Sequence, residues 1–178
     1  MRALILSIAL LLPLLVIGQS SKPVVPFVPK GQKYTNAEHK IEWTLLDDKS
    51  WTLKKEPQPS VLAVIMNKDE QGGSHPSVML SFDKLPKEVS TVKDYADINI
   101  TALAKYGFTD IKQSDTTFNG ITAVEVDAYT EGGKKAANQL YMIKNGTGYV
   151  ITITCPLSMY ERYQKQLKLA RSTLTFTE

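Results

Sequence analysis

Residues 121–155 constrain the fold of this chain most strongly, because three apolar-rich runs follow one another there with only short breaks. The runs are 121–130, 136–144 and 148–155, and each is rich in β-branched and aromatic side chains, which favour strands. Two glycines at 132–133 separate the first two runs, and Asn-Gly-Thr at 145–147 separates the last two. Such breaks are typical of hairpins, so the pattern predicts a three-stranded meander at the centre of a sheet.

Alternation of side chains sets the register of this meander. Val124, Val126 and Ala128 share one face of the first strand, whereas Glu125 and Asp127 lie on the other. A shift by one residue would bury both carboxylates, so we expect the register to be well defined. The second face of the three strands mixes polar and apolar side chains, which predicts partial cover by a helix or by the amino-terminal segment.

Two segments have the spacing of amphipathic helices, one before the meander and one after it. Thr91 and Asp94 form a capping-box pattern at the start of a predicted helix over about 91–106, and Ser158 and Glu161 do so for a helix over about 158–171. The predicted buried stripes are Val92, Tyr95, Ile98, Ala102 and Tyr106 in the first helix, and Tyr160, Tyr163, Leu167, Ala170 and Leu174 in the second. Further strands are predicted at 40–46, 51–54, 61–67, 77–84, 109–117 and 173–177.

The amino terminus has the pattern of a secretory signal peptide. Arg2 precedes an apolar run over 3–17 that is shorter than a bilayer span and is interrupted by Pro13. We predict a signal peptide at 1–18, with cleavage after Gly18, and the alternative is an uncleaved anchor. A proline-rich tether at 19–37 then leads to a single domain at 38–178, and an extracytoplasmic location is expected, either periplasmic or secreted.

Composition and cysteine content exclude several classes of protein. The formal net charge is +3, too small to indicate nucleic-acid binding, and the charges of both signs are interspersed. Cys155 is the single cysteine, so no internal disulfide can form, and its place at the end of an apolar strand predicts a buried, unreactive thiol.

The sequence contains no catalytic motif of recognisable spacing. His39 and His75 are the two histidines, and we expect both to be solvated loop residues without a role as metal ligands. Asp47 and Asp48 lie beside a turn but lack the alternating ligands of a calcium loop, and Glu125 with Asp127 is better explained by a solvated strand face than by acid–base catalysis. We therefore predict no catalytic residue, no metal site and no cofactor.

Two Asn-x-Thr sequences, at Asn99 and Asn145, match the acceptor pattern for N-glycosylation, which matters only in a eukaryotic host. Asn145 lies at a predicted hairpin tip and is the better site, whereas Asn99 lies within the first predicted helix.

The order of these elements resembles the PsbP-like superfamily, which includes DcrB-type proteins and Ran-binding Mog-type proteins. The matching stretches are 41–51 with two tryptophans, 91–96 (Thr-Val-Lys-Asp-Tyr-Ala), 118–124 with Asn-Gly, 148–154 before 160–163, and the closing 172–176. The resemblance implies an α+β fold, namely an α/β/α sandwich with a central antiparallel sheet of about seven strands and two main helices. It implies no shared catalytic residues.

Three functions are compatible with these observations. The first is an exported, non-catalytic binding or accessory domain whose partner is an envelope or extracellular protein, with a binding face around Tyr129, Gln139 and Tyr141. The second is an extracytoplasmic hydrolase whose dispersed site gathers His39 or His75 with carboxylates. The third, implied by the resemblance alone, is a role like that of the extrinsic subunits of photosystem II.

The facing of the last meander strand generates a prediction. Ile151→Asp should prevent folding, because it places an unpaired charge in the core. Thr152→Asp should be milder, because Thr152 lies on the opposite face. The soluble yields of the two variants, measured in parallel, check this, and the reverse order would show that the two faces have been exchanged.

Overall fold

The computed structural model describes residues 33–44, 49–130 and 135–177. Within these residues the chain forms ten strands and two helices. In chain order they are β1 (Lys33–Asn36), β2 (Ile41–Thr44), β3 (Trp51–Gln58), β4 (Val61–Asn67), β5 (Ser77–Lys84), α1 (Val92–Lys105), β6 (Phe108–Phe118), β7 (Ile121–Thr130), β8 (Lys135–Lys144), β9 (Thr147–Pro156), α2 (Leu157–Ser172) and β10 (Leu174–Phe176).

The predicted meander is the centre of a seven-stranded antiparallel sheet, whose strand order is β3-β4-β5-β9-β8-β7-β6. Asn119-Gly120 and Asn145-Gly146 form the turns before β7 and before β9. All four residues have positive φ, at 50° and 77° in the first turn and 51° and 74° in the second. These angles belong to the two-residue hairpin turn that matches strand twist, so the Asn-Gly pairs directly determine the two hairpins.

Apolar layers lie on both faces of this sheet, which confirms the α/β/α sandwich. On one face, side chains of β9 such as Ile151 and Ile153 pack with Leu167 of α2. On the other face, Val150 of β9 packs with Tyr95 of α1 and with neighbours from β7 and β8. Each helix therefore covers one face of the same sheet.

The first and last predicted strands form a separate small sheet in the order β1-β2-β10. Trp43 of β2 is fully buried, and its indole Nε1–H donates to the Ala170 carbonyl oxygen at 2.7 Å, which fixes this sheet against the end of α2. Strand β1 begins at Lys33 and buries Tyr34, so folded structure starts before the predicted domain boundary at 38. The sequence did not indicate β1 because Tyr34 stands alone among polar residues.

Helix α1 has the predicted capping box but a different buried stripe. The Asp94 N–H donates to Thr91 Oγ1 at 3.1 Å, and the Thr91 N–H donates to Asp94 Oδ2 at 2.9 Å. Of the predicted stripe only Tyr95 is fully buried, and Tyr106 is exposed; the other buried positions are Ala96, Asn99 and Leu103. The prediction was wrong because Asn99, a polar residue that binds the helix backbone, faces the sheet.

Helix α2 has the predicted stripe but not the predicted capping box. Tyr163, Leu167 and Ala170 are buried as expected. The helix begins at Leu157 after Pro156, and no side chain caps its first turn. The Ser158 hydroxyl instead donates to Gln71 Oε1 in the loop between β4 and β5. Proline already terminates strand β9 and fixes φ there, so the start of the helix does not depend on a capping side chain.

The two faces of β9 differ as predicted, but both are covered. Ile151 is fully buried in the layer beneath α2, whereas Thr152 points to the α1 side. Thr152 is also buried, at 7% exposure, beside Gln139. Thr152→Asp should therefore lower the stability of the fold less than Ile151→Asp does, and only because the surroundings of Thr152 are polar. It should still lower the stability more than a substitution at an exposed site.

Gly148 of β9 allows α1 to lie close to the sheet, and this generates a prediction. A Cβ atom at Gly148 would lie 2.7 Å from both Leu85 Cδ2 and Tyr95 Cζ. We expect Gly148→Ala to lower the free energy of unfolding by about 1–3 kcal/mol, as overpacked sites do. Gly146→Ala is the matched control, because Gly146 has open space but a φ of +74°, and it should cost about 1 kcal/mol. Urea unfolding measures both, and a loss at Gly148 well below about 1 kcal/mol would contradict the close approach.

Candidate functional site

The predicted binding face does not exist as one exposed surface. Gln139 and Tyr141 of β8 pair with Val126 and Val124 of β7, so they face α1, and both are buried. Tyr129 pairs with Ala136 in β8 and lies on the opposite face of the sheet, where it is half-buried. The three residues have similar polar and aromatic character, but the strand pairing places them on two faces.

The two histidines lie at separate places and share no partner among the described residues. His39 Nδ1 lies 3.0 Å from the Tyr149 hydroxyl, and its ring packs on Phe82. His75 Nδ1 lies 3.1 Å from the Asp69 carbonyl oxygen, within the loop between β4 and β5. Both are half-buried and not fully solvated as predicted, and the structure does not bring the two together in one pocket. The carboxylate beside His75 is that of Glu70, an exposed residue of the same loop, at 3.9 Å.

Cys155 is fully buried at the end of β9, as predicted. Burial raises the pKa of its thiol to about 12, so the thiol stays protonated and unreactive at neutral pH. Asp47 and Asp48 lie outside the described residues. Among 33–44, 49–130 and 135–177, no group of three or more His, Cys, Asp or Glu side chains is placed to hold a metal ion.

The carboxylates of Glu125 and Asp127 form a structural cluster beside α2. Asn138 Nδ2 donates to Glu125 Oε1 at 2.9 Å and to Asp127 Oδ1 at 2.8 Å. Arg171 of α2 donates to Glu125 Oε1 at 2.8 Å and to Asn138 Oδ1 at 2.6 Å. Burial acts to raise the pKa of Glu125, but the hydrogen bonds from Asn138 and Arg171 outweigh it and hold this pKa below its ordinary value. The prediction of a simply solvated face was therefore wrong, because α2 supplies an arginine to it.

The two possible glycosylation sites differ in access. Asn99 is buried, and its Nδ2 donates to the Tyr95 carbonyl oxygen at 2.8 Å, so the folded domain has no room for a glycan there. Asn145 is exposed at the tip of the β8–β9 hairpin, and modification of it stays a prediction.

A small polar cavity lies between α1 and the sheet, and we take it as the candidate functional site. Its volume is about 10 Å³, close to the space that one water molecule needs. The lining comes from β5, α1, β8 and β9, and consists of Ser81, Asp83, Asn99, Gln139, Tyr141, Val150 and Thr152. Six of these seven residues are polar, which is unusual for a site this far inside the domain.

Asp83 is the charged group of this cavity. It accepts a hydrogen bond at 2.5 Å from the hydroxyl of Tyr95, which Gly148 allows to lie against the sheet. Burial raises the pKa of Asp83 above its ordinary value, and the Tyr95 hydrogen bond offsets part of that effect. Burial and the negative charge of Asp83 raise the pKa of Tyr95 in turn, so this hydroxyl stays a donor at every physiological pH.

A second hydrogen-bonded series crosses the floor of the cavity. The Tyr141 hydroxyl donates to Gln139 Oε1, and Gln139 Nε2 donates to Thr152 Oγ1 at 3.3 Å. Tyr95 packs edge-to-face on Tyr141 with ring centroids 5.5 Å apart, which joins the two series. The side chains are thus held in fixed orientations, as a preformed binding site requires.

The residues of this cavity are hydrogen-bonding groups that can orient a ligand. The hydroxyls of Ser81 and Tyr95 donate to a carbonyl and a carboxylate oxygen of the protein. The sequence carried a signal for this site that was not used. The alternation that places Val78 and Leu80 inward in β5 also places Ser81 and Asp83 together on the other face.

Comparison with known proteins shows the fold. No protein-family model and no curated protein matches the chain. Solved structures do match, and one is cyanobacterial PsbP (CyanoP) from Synechocystis sp. PCC 6803, with a TM-score of 0.58, 11% identity and coverage of 84% of this chain and 94% of that one.

Two bacterial structures are similar to the same extent. LpqN of Mycobacterium tuberculosis, described as involved in cell envelope biogenesis, matches with a TM-score of 0.55 and 15% identity over 83% of this chain and 90% of its own. PA94 of Pseudomonas aeruginosa, a protein of unknown function described as a putative regulator, matches with a TM-score of 0.51 and 19% identity. The match covers 83% of this chain and 97% of PA94. The chain therefore has a PsbP-like fold, and at these identities the likeness concerns the fold alone. Neither α1 nor α2, the helices of the described residues, is long and apolar enough to cross a membrane.

The Tyr95–Asp83 pair generates a prediction. Tyr95→Phe removes the donor to a half-buried carboxylate, so we expect a loss of about 1.5–3 kcal/mol in the free energy of unfolding at about pH 7. Removing the donor raises the pKa of Asp83 further above its ordinary value of 3.8, so the folded state then takes up a proton more readily than the unfolded state. Protonation removes the buried charge, and the loss should therefore shrink as the pH falls from about 7 to about 4.

Urea unfolding at the two pH values measures this. Tyr106→Phe is the matched control, because Tyr106 is exposed, and it should change stability by less than about 0.5 kcal/mol. If Tyr95→Phe instead lost more stability at low pH than at neutral pH, the raised pKa of Asp83 would be contradicted.

Proposed function

We propose that this chain is exported and acts outside the cytoplasm as a non-catalytic binding or accessory domain. The apolar leader at 1–18 supports export, since Arg2, the short apolar run and the small residues after it have the pattern of a secretory signal peptide. The PsbP-like fold supports the location only by analogy, because one protein of this fold, LpqN, is described as involved in cell envelope biogenesis.

The cavity beneath α1 is the observation that carries the binding role. It combines a half-buried carboxylate, Asp83, with a fixed set of hydrogen-bonding side chains. Buried polar groups of this kind cost stability compared with a packed apolar layer, so their presence favours a ligand or partner that uses them. Gln139 and Tyr141 of the predicted binding face belong to this cavity, and we propose them as binding residues in that form.

The hydrolase alternative loses the residues on which it depended. It required His39 or His75 to meet carboxylates in one pocket. His39 lies instead against the Tyr149 hydroxyl, and His75 lies 3.9 Å from the carboxylate of Glu70, which is an exposed residue of the same loop. Within the described residues, the polar groups that do converge are a carboxylate, two tyrosines, two amides and two hydroxyls, which can orient a ligand but include no histidine or thiol nucleophile.

Export generates a prediction that needs no knowledge of the ligand. Expressed with its own leader in a bacterial host, the protein should be recovered in the extracytoplasmic fraction with Gln19 as its first residue, which intact mass spectrometry would show. Leu11→Arg should abolish export, because a charge interrupts the apolar run.

Leu169→Arg is the matched control, since Leu169 is an exposed residue of α2, and this variant should be exported normally. Cytosolic protein that keeps residues 1–18 would refute the proposed location.

A further inference from the structure

The walls of the cavity offer hydrogen-bond acceptors, because the hydroxyl protons around it are directed elsewhere. The Ser81 hydroxyl donates to the Val150 carbonyl oxygen at 3.4 Å, the Tyr95 hydroxyl to Asp83, and the Tyr141 hydroxyl to Gln139. Each of these oxygens keeps lone pairs that no proton of its own occupies. The hydroxyl oxygens of Ser81, Tyr95 and Tyr141 thus remain available as acceptors.

Asp83 supplies a negative charge to the same space. One of its oxygens, Oδ2, accepts from Tyr95, and among the described residues no lysine or arginine forms an ion pair with Asp83. A carboxylate removed from water is stabilised best by a cationic donor, since charge-assisted hydrogen bonds are roughly twice as strong as neutral ones. Tyr95 is a neutral donor and meets only part of that requirement.

The other polar cluster of the domain shows the contrast. On the α2 side, Arg171 and Asn138 satisfy Glu125 within the protein itself. That cluster needs no ligand, whereas the cavity has a carboxylate of the same kind without a cation of the domain bound to it.

We propose that this cavity binds a primary ammonium group, held by Asp83 with Ser81 and Asn99 at its sides. An ammonium head group has three donors and no acceptor, one positive charge, and nearly the size of the single water molecule that the cavity can hold. The alkyl chain that carries it would stay outside the cavity, on the side where the half-buried Asp83 reaches solvent. The inference rests on the proposed binding role and names the ligand class of that site. The ammonium belongs either to a free amine or to a lysine side chain of a protein partner.

The test uses the purified, processed protein labelled with ¹⁵N, and follows the side-chain amide signals of Gln139 and Asn99 by NMR. Titration with n-propylammonium chloride should shift both signals in a saturable manner. n-Propanol, which lacks the charge, and tetramethylammonium chloride, which lacks the donors, should not shift them. Potassium chloride at equal ionic strength tests for a metal cation.

Asp83→Asn is the decisive variant, because it removes the charge while an amide oxygen can still accept from Tyr95. It should weaken propylammonium binding about tenfold or more. Asp115→Asn, on the exposed edge strand β6, is the matched control and should bind as the wild type does. If Asp83→Asn fails to fold, the carboxyl ¹³C signal of Asp83 is titrated with pH in the wild type, with and without the amine. Saturation with the amine must lower the pKa of Asp83, and an unchanged pKa would overturn the proposal.

A peptide with one lysine and its Nε-acetylated form distinguish the two sources. Binding of the lysine peptide at least about tenfold tighter than propylammonium indicates a protein partner, and equal binding indicates a free amine. Equal responses to propylammonium and to potassium, propanol or tetramethylammonium would overturn the proposal, as would an unchanged response in Asp83→Asn. If the protein is exported normally but does not bind propylammonium specifically, the ligand class is refuted and the proposed location is unaffected.

Discussion

Strand β9 must pack its side chains into two different layers, one on each face of the sheet, and the rest of the structure depends on this constraint. Its side chains alternate between the layer of α2, which takes Ile151 and Ile153, and the layer of α1, which takes Val150 and Thr152. Pairing with β5 on one side and β8 on the other leaves no freedom to slide. A shift by one residue would exchange the two sets, so the register of the whole sheet follows from this strand.

The two layers differ in how much polarity they hold. The α2 layer joins apolar residues of both sheets, and its charged cluster at Glu125 is neutralised by Arg171 from the same domain. The α1 layer contains Asp83, Asn99, Gln139 and Thr152 close together. Apolar residues in these positions would stabilise the fold more, because each buried polar group loses contact with water. This difference is the reason for proposing the binding site on the α1 side.

Gly148 connects packing to the site. Its missing side chain lets Tyr95 and Leu85 lie directly on β9, and Tyr95 then reaches Asp83. The capping box at Thr91 determines where α1 begins and so the height of Tyr95 above the sheet. Local interactions of ordinary strength thus determine the position of the Tyr95 hydroxyl, which donates to the half-buried carboxylate of Asp83.

Elements whose formation depends on neighbours in the chain could be predicted from the sequence alone. The alternation in β5 and β7, the continuous apolar run of β4, the Asn-Gly turns and the Thr91 cap are local signals, and each predicted the observed structure. Strand β1 and the buried Asn99 were missed, because one aromatic or one amide has no periodic pattern around it.

Which polar residues contact one another depends on the packing of elements that are distant in sequence. Asp83, Asn99 and Gln139 are far apart in the chain and come together because α1 folds back over the paired strands β5, β9 and β8. Tyr129 and Tyr141 looked equivalent by composition and were assigned to opposite faces by strand pairing. Alternation along a strand tells which residues share a face, but the neighbours across strands and the helix that covers them depend on contacts distant in sequence.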